Sequence, residues 1–149
     1  MESGVISDSQ ISASSAHPIA ADHAAHQGRL NFQENSVKAG AWAAATNDVN
    51  QWLQVDMGNQ LTKVSRVATQ GRHYSSKWPG EPYSQWVTKY KLQYSDDGVN
   101  FQYYREQGQT TDKVKVLRFR KVLIAEDIES LKRHILLSEI FLLKYRSLN

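Results

Sequence analysis

The densest chemistry in this chain lies in one stretch, His73-Tyr74-Ser75-Ser76-Lys77-Trp78-Pro79-Gly80-Glu81-Pro82-Tyr83. A tryptophan sits at a proline-glycine bend, with a cation before it and a carboxylate after it. An indole is costly to leave in water without a partner. An apical Trp78 therefore suits stacking on a sugar face, entry into an interfacial lipid layer or packing in a protein groove. The competing arrangement has Trp78 folding back on its own loop to cap the core. Arg72, His73, Lys77 and Glu81 tip the balance toward ligand contact, because a site needs a few polar groups to orient what it holds. A second polar stretch carries His17, Asp22, His23 and His26. His23 and His26 stand three apart with Asp22 beside them, a spacing that could set two imidazoles and a carboxylate around a divalent ion. Zinc ordinarily takes three or four protein ligands and no fourth is visible, so these residues are read as ligand-contacting loop positions and no metal is expected.

Catalytic signatures are missing. There is no Gly-x-Ser-x-Gly elbow, no phosphate-cradling glycine loop and no His-Glu-x-x-His helix. Asp96-Asp97 reads as a turn pair rather than an acid/base couple. With 0 cysteines there is no disulfide framework, thiolate metal site or cysteine nucleophile. The chain is not expected to be an enzyme. Its net charge of +3 is unevenly spread: residues 1–112 hold 9 Lys/Arg and 11 Asp/Glu, whereas residues 113–149 hold 9 and 4. All 4 tryptophans fall in the mildly acidic part. A nucleic-acid binder would interleave aromatics with a basic stripe, so no nucleic-acid partner is expected.

The elements that must position these residues are short and extended. A chain of 149 residues, 40% hydrophobic and 22% charged, fits one globular domain, taken as 1–149. No apolar run reaches the roughly 18 residues of a membrane-spanning helix. The first 30 residues lack the layout of a signal peptide. All 8 glycines and all 3 prolines fall at or before Gly108, and that part reads as strands separated by turns. From Trp86 to Tyr94, Trp86, Thr88, Tyr90, Leu92 and Tyr94 alternate with Val87, Lys89, Lys91 and Gln93. That period of two puts one face in a core and the other in water. Ser95-Asp96-Asp97-Gly98 then predicts a tight turn, and Phe101–Tyr104 the returning strand of a hairpin. Trp52–Met57 and Val64–Thr69 are further strands, and Ile6–Ser14 a weaker one. Between them lie two long loops, His17–Gln33 and Gly71–Ser84, where binding residues collect on a rigid β scaffold.

Residues 109–149 carry two patterns at once. Ile124, Ile128, Leu131, Ile135 and Leu142 come close to helical spacing, with acids early and bases late over Ile124–Leu143. Val114–Arg120 alternates like a strand, and Ile135–Leu143 is a dense apolar run that fits a buried strand equally well. Both readings stay open.

Gly4–Ser15, then Trp52–Gly58, Thr69–Arg72, Trp86–Ser95 and Asp97-Gly98 resemble, in order, the successive motifs of the discoidin family, also called the coagulation factor V/VIII type C domain. The resemblance covers about residues 2–107 and is atypical over 108–149. It implies an all-β fold, a jelly-roll antiparallel β-sandwich of the galactose-binding-like type, with ligand-binding loops at one end. It further implies a non-catalytic adhesion module, extracellular or at the cell surface, within a secreted or membrane-anchored protein and open to oligomeric or tandem use. The expected partner is a cell-surface or matrix carbohydrate. The alternatives are an anionic phospholipid surface or an extracellular protein such as collagen. The site residues are then His17, Asp22, His23, His26, Arg72, His73, Lys77, Trp78 and Glu81. Collagen ranks lower, since the tryptophan and acid of collagen-binding members are replaced here by Ala16-His17 and Lys38-Ala39, although Arg72 and Glu81 match. No cofactor is expected, a loop-bound calcium being the one left open. Without the family's usual terminal cysteine pair, this copy should be less stable than a bridged relative.

Overall fold

A computed structural model of the chain describes residues 5–18, 23–35, 37–59, 62–64, 67–72, 83–105, 108–111, 114–116, 121–122, 130–132 and 134–147. Ten strands follow in order: β1 Ile11–Ala13, β2 Leu53–Asp56, β3 Thr62–Val64, β4 Thr69–Gln70, β5 Tyr83–Ser95, β6 Gln102–Tyr103, β7 Val114–Val116, β8 Lys121–Val122, β9 Ser130–Lys132 and β10 His134–Ser147. One six-stranded sheet runs β1-β2-β10-β5-β6, with β7 also paired to β5. Two small ladders, β3-β9 and β4-β8, complete the set. Every pairing is antiparallel, and no α-helix occurs among the described residues. The expected all-β architecture is present.

β5 forms because its alternation gives the pleat one apolar face. Tyr90 and Leu92 are each 2% exposed, while Lys89 between the buried pair and the strand's start is open to solvent. Leu92 packs with Val64 of β3, and Met57, Val67, Tyr94 and Tyr104 close around them. The small ladders therefore lie over the large sheet as its second layer, which is what a sandwich requires. Burial holds the Tyr90 phenol above its ordinary pKa, partly offset by a hydrogen bond with Thr69 of β4.

The hairpin turn after β5 is as local chemistry predicts. Ser95 Oγ accepts from the backbone N–H of Asp97 (3.2 Å) and Gly98 (3.0 Å) and donates to Asp97 Oδ1 (2.8 Å). Asp97 in turn accepts from the N–H of Val99 (2.9 Å) and Asn100 (2.8 Å) and from Asn100 Nδ2 (2.7 Å). Gly98 takes φ +75°, and the His134 ring lies against it. Those donors, the two backbone N–H groups first, hold the Asp97 carboxyl well below the usual range. Because the folded-state pKa is depressed, its stabilisation is full above the unfolded value of about 3.9 and is lost as pH falls below it. Asp97→Asn is thus expected to lower Tm at pH 7, and the gap to wild type should narrow between pH 4 and pH 2. A gap of constant size across that range would contradict this account.

Three expectations are corrected. Ile124–Leu143 is not a helix where it is described, since Ser130–Lys132 and His134–Ser147 are strands. β10 pairs with β2 through Ile135↔Val55 and Leu137↔Leu53, and with β5 through Leu137↔Leu92 and on to Ser147↔Tyr83, with a bulge between Ser138 and Phe141. A strand paired along both edges tolerates a continuous apolar run, so the helical spacing is incidental. Val64–Thr69 is not one strand: the chain leaves the β3 ladder after Val64 and enters another at Thr69. Of Ile6–Ser14, only Ile11–Ala13 is extended. Ahead of it Asp8–Gln10 forms a 3₁₀ turn, closed by Ser7 N–H and Oγ donating to Gln10 Oε1 (2.9 Å each).

Candidate functional site

The ladder register decides which loops share an end. β1 ends where β2 begins, at Ala13↔Leu53, so the whole segment from Ser14 to Trp52 leaves and re-enters the sheet at one place. β5 runs parallel to β2, since both are antiparallel to β10, and its first residue Tyr83 points the same way. The chain just before it arrives at that end too. An antiparallel bridge Arg72↔Gln85 brings Arg72 there.

The base of the Ser14–Trp52 segment is a polar hub. Gln51, 7% exposed, accepts at Oε1 from Ser14 Oγ (2.8 Å) and Ser15 Oγ (2.6 Å), and donates from Nε2 to Thr46 Oγ1 and Asp48 Oδ1 (2.9 Å each). Trp42 Nε1 donates to the Ser15 carbonyl (2.8 Å), and Ala45 N–H to Ser15 Oγ (3.1 Å). His17 N–H donates to the Ala43 carbonyl (2.9 Å). A buried amide with its lone pairs and protons satisfied by four loop side chains fixes their geometry before any ligand arrives. The hydrogen bond from Thr46 leads the interactions that hold the Asp48 carboxyl below its usual range. At the tip of this loop Asn50 N–H caps Asp48 Oδ1 (2.8 Å), and Val49 stands 46% exposed.

The structure separates the expected histidine cluster. His17 and His23 face each other with ring centroids 5.5 Å apart and planes tilted by 56°. His26 lies in a 3₁₀ turn, Ala25–Gly28, that packs on β1 and on the Asp8–Gln10 turn. Its charge acts on Asp8, whose carboxyl is held below the usual range chiefly by the Arg29 guanidinium, Nη2 to Oδ1 at 2.7 Å. Helical spacing would join His23 to His26; the irregular chain joins His23 to His17 instead. Asp22, His73, Lys77, Trp78 and Glu81 lie outside the described residues. Asn31, with φ +57°, connects the two loop regions, its N–H donating to Gln70 Oε1 (3.1 Å), two residues before Arg72.

Arg72 is half-buried. Its N–H donates to the Gln85 carbonyl (2.7 Å) and its Nη1 to Gln85 Oε1 (3.2 Å). Arg72 Nε, His17 Nδ1 and Trp86 Nε1 are buried with no hydrogen-bond partner among the described residues. Such atoms are uncommon in a finished fold and point to groups held ready for something external. At the far end of β5, a polar depression of about 190 Å³ is lined by Tyr94, Ser95, Asp96, Asp97, Asn100 and Gln102. Its Asp97 acceptors are already taken by the turn. Sequence reading missed Gln51 and Val49. A glutamine before a strand and a valine among polar neighbours carry no spacing signal, and only the closed loop reveals them.

The F5/8 type C domain family model matches residues 10–129, reaching beyond Gly108 into the tail. Lactadherin of Rattus norvegicus is 40% identical over 118 residues, 76% of this chain and 25% of that protein. Lactadherin of Mus musculus is 38% identical over 112 residues, 72% and 22% of the two chains. Among solved structures, native recombinant discoidin II of Dictyostelium discoideum superposes with a TM-score of 0.67 at 22% identity, over 91% of this chain and 52% of that one. That likeness speaks for the fold. The chain spans about a quarter of the length of the curated relatives and about half of the solved one. Motif order, sandwich topology and the matched span lead to one assignment: the chain belongs to the F5/8 type C (discoidin) domain family.

Proposed function

We propose that this chain is a non-catalytic extracellular recognition module that grips a cell-surface or matrix carbohydrate at the loop end of its sandwich. The supporting observation is Arg72: fastened twice to Gln85, it keeps a buried Nε without a partner at the end where the Gln51 hub stiffens the neighbouring loop. A hydroxyl-rich ligand offers acceptors for such donors, and preorganised loops lower the entropy cost of holding it. The shifted carboxylates, Asp8, Asp48 and Asp97, are all held down, so they stay ionised at neutral pH and suit capping rather than proton transfer. A second reading, attachment to an anionic phospholipid surface, is favoured by Val49, an apolar side chain exposed at the same end, together with the neighbouring Lys77-Trp78 pair of the sequence. Weak single-site binding would be amplified by oligomers or tandem copies.

The test is an immobilised-ligand screen against glycans, neutral and anionic liposomes and collagen, at low and high salt. Glycan binding should be insensitive to salt, because stacking and neutral hydrogen bonds are not screened. Arg72→Ala should weaken it about tenfold or more, the worth of a hydrogen bond from a charged donor. Binding confined to anionic liposomes and collapsing at high salt would transfer the conclusion to the membrane reading. Unchanged binding by both Arg72→Ala and Trp78→Ala would place the site elsewhere.

A further inference from the structure

We propose that His17 and His23 form a two-imidazole site for a first-row divalent ion, copper or zinc, with its remaining coordination positions open to solvent. Imidazole nitrogen bonds such ions at about 2.0–2.1 Å, which puts each ring centroid about 3.2 Å from the metal. Two rings at a tetrahedral angle then have centroids about 5.2 Å apart. The observed separation is 5.5 Å, and the 56° tilt is that of two rings converging on a point, not of a stacked pair. His17 Nδ1 is buried with no hydrogen-bond partner among the described residues, so its lone pair or proton is unused. The Nδ1 of His23 is likewise out of contact with solvent. His17 is also fixed in place, its N–H bound to the Ala43 carbonyl and the segment before it locked by Ser15 and Gln51. A chelating pair on a stiff loop loses little freedom on taking up an ion. No group of three or more histidine, cysteine, aspartate or glutamate side chains is gathered among the described residues. The ion is therefore held by two protein ligands, in the open manner of a site that can also meet an external donor. Among divalent ions copper binds such nitrogen sites most tightly.

The experiment titrates Cu²⁺ into the metal-stripped full chain, followed by calorimetry and electron paramagnetic resonance. One ion per chain and a nitrogen hyperfine pattern from two imidazoles are expected. His17→Gln and His23→Gln should each weaken binding by about tenfold or more, since even outer-shell losses cost that much. His26→Gln should bind like wild type. Zn²⁺ should raise the Tm of the wild-type chain and leave that of the double variant unmoved. The resonance pattern needs no variant, so it decides even if a substitution impairs folding. A single-nitrogen pattern would overturn the proposal. So would equal affinity in the wild type and the double variant, or a loss with His26→Gln matching that with His23→Gln.

Discussion

Leu92→Ala is expected to destabilise the chain by about 2–5 kcal/mol, a large share of the roughly 5–15 kcal/mol that holds a domain of this kind together. Leu92 is 2% exposed and sits in the middle of β5, paired with Leu137 of β10. It also bridges the layers, since Val64 of β3 packs on it with Met57, Val67, Tyr94 and Tyr104 around them. Truncation removes three carbons from that cluster, and the void is bounded by strands that pair along both edges and cannot collapse into it. The cost should therefore fall in the upper part of the range for such changes. Leu92→Met keeps the volume and should cost less than about 1.5 kcal/mol. Urea unfolding measures both, and the midpoints should separate while the slopes stay equal. A loss under about 1 kcal/mol for Leu92→Ala would mean that the two small ladders do not rest on β5. With no disulfide in the chain, nothing covalent compensates the loss.

The parts of this fold that were legible in the sequence are those whose cause is local. The β5–β6 hairpin declares itself through the alternation from Trp86 to Tyr94 and through Ser95-Asp96-Asp97-Gly98, because pleat and turn each depend on residues within a few positions. The tail was ambiguous because a window of sequence sees period but not neighbours. β10 becomes a strand only when β2 and β5 offer it two edges. The break between β3 and β4 was hidden for the same reason, each half being drawn to a different late strand. In the candidate site, Arg72 came through the family motif, and the bridge to Gln85 supplies the physical account of its position. The histidines came through as a set with the wrong internal pairing. Spacing assigns partners only inside a regular element, and Ala25–Gly28 is a short 3₁₀ turn that carries His26 toward Asp8. Gln51 was invisible because its role is the sum of four loop contacts that exist only after the loop closes.

Gly40→Ala is expected to cost about 2 kcal/mol or more and to loosen the loop that carries Asn31 to Gln70. Gly40 holds φ +68°, where a β-carbon alone costs about 1–2 kcal/mol. That carbon would also stand 2.7 Å from the Glu34 backbone nitrogen and 3.1 Å from the Gln33 carbonyl carbon and the Phe32 carbonyl oxygen. All three are backbone atoms of one segment, so the chain from 32 to 34 must move as a body. Movement there is not free, because Gly40 N–H donates to Oε1 of Gln27 (3.2 Å), whose side chain is 0% exposed. A displaced Gly40 leaves a buried amide oxygen short of a donor, adding about 1–3 kcal/mol when the bond is lost outright. Gly58 isolates these contributions. It holds φ +88° with nothing within 4 Å of the added carbon, so Gly58→Ala should show the dihedral penalty alone. Thermal unfolding of the two variants against wild type should place Gly40→Ala clearly below Gly58→Ala. If the two shift Tm equally, the close approach at Gly40 carries no energy, and the loop it braces is soft enough to yield.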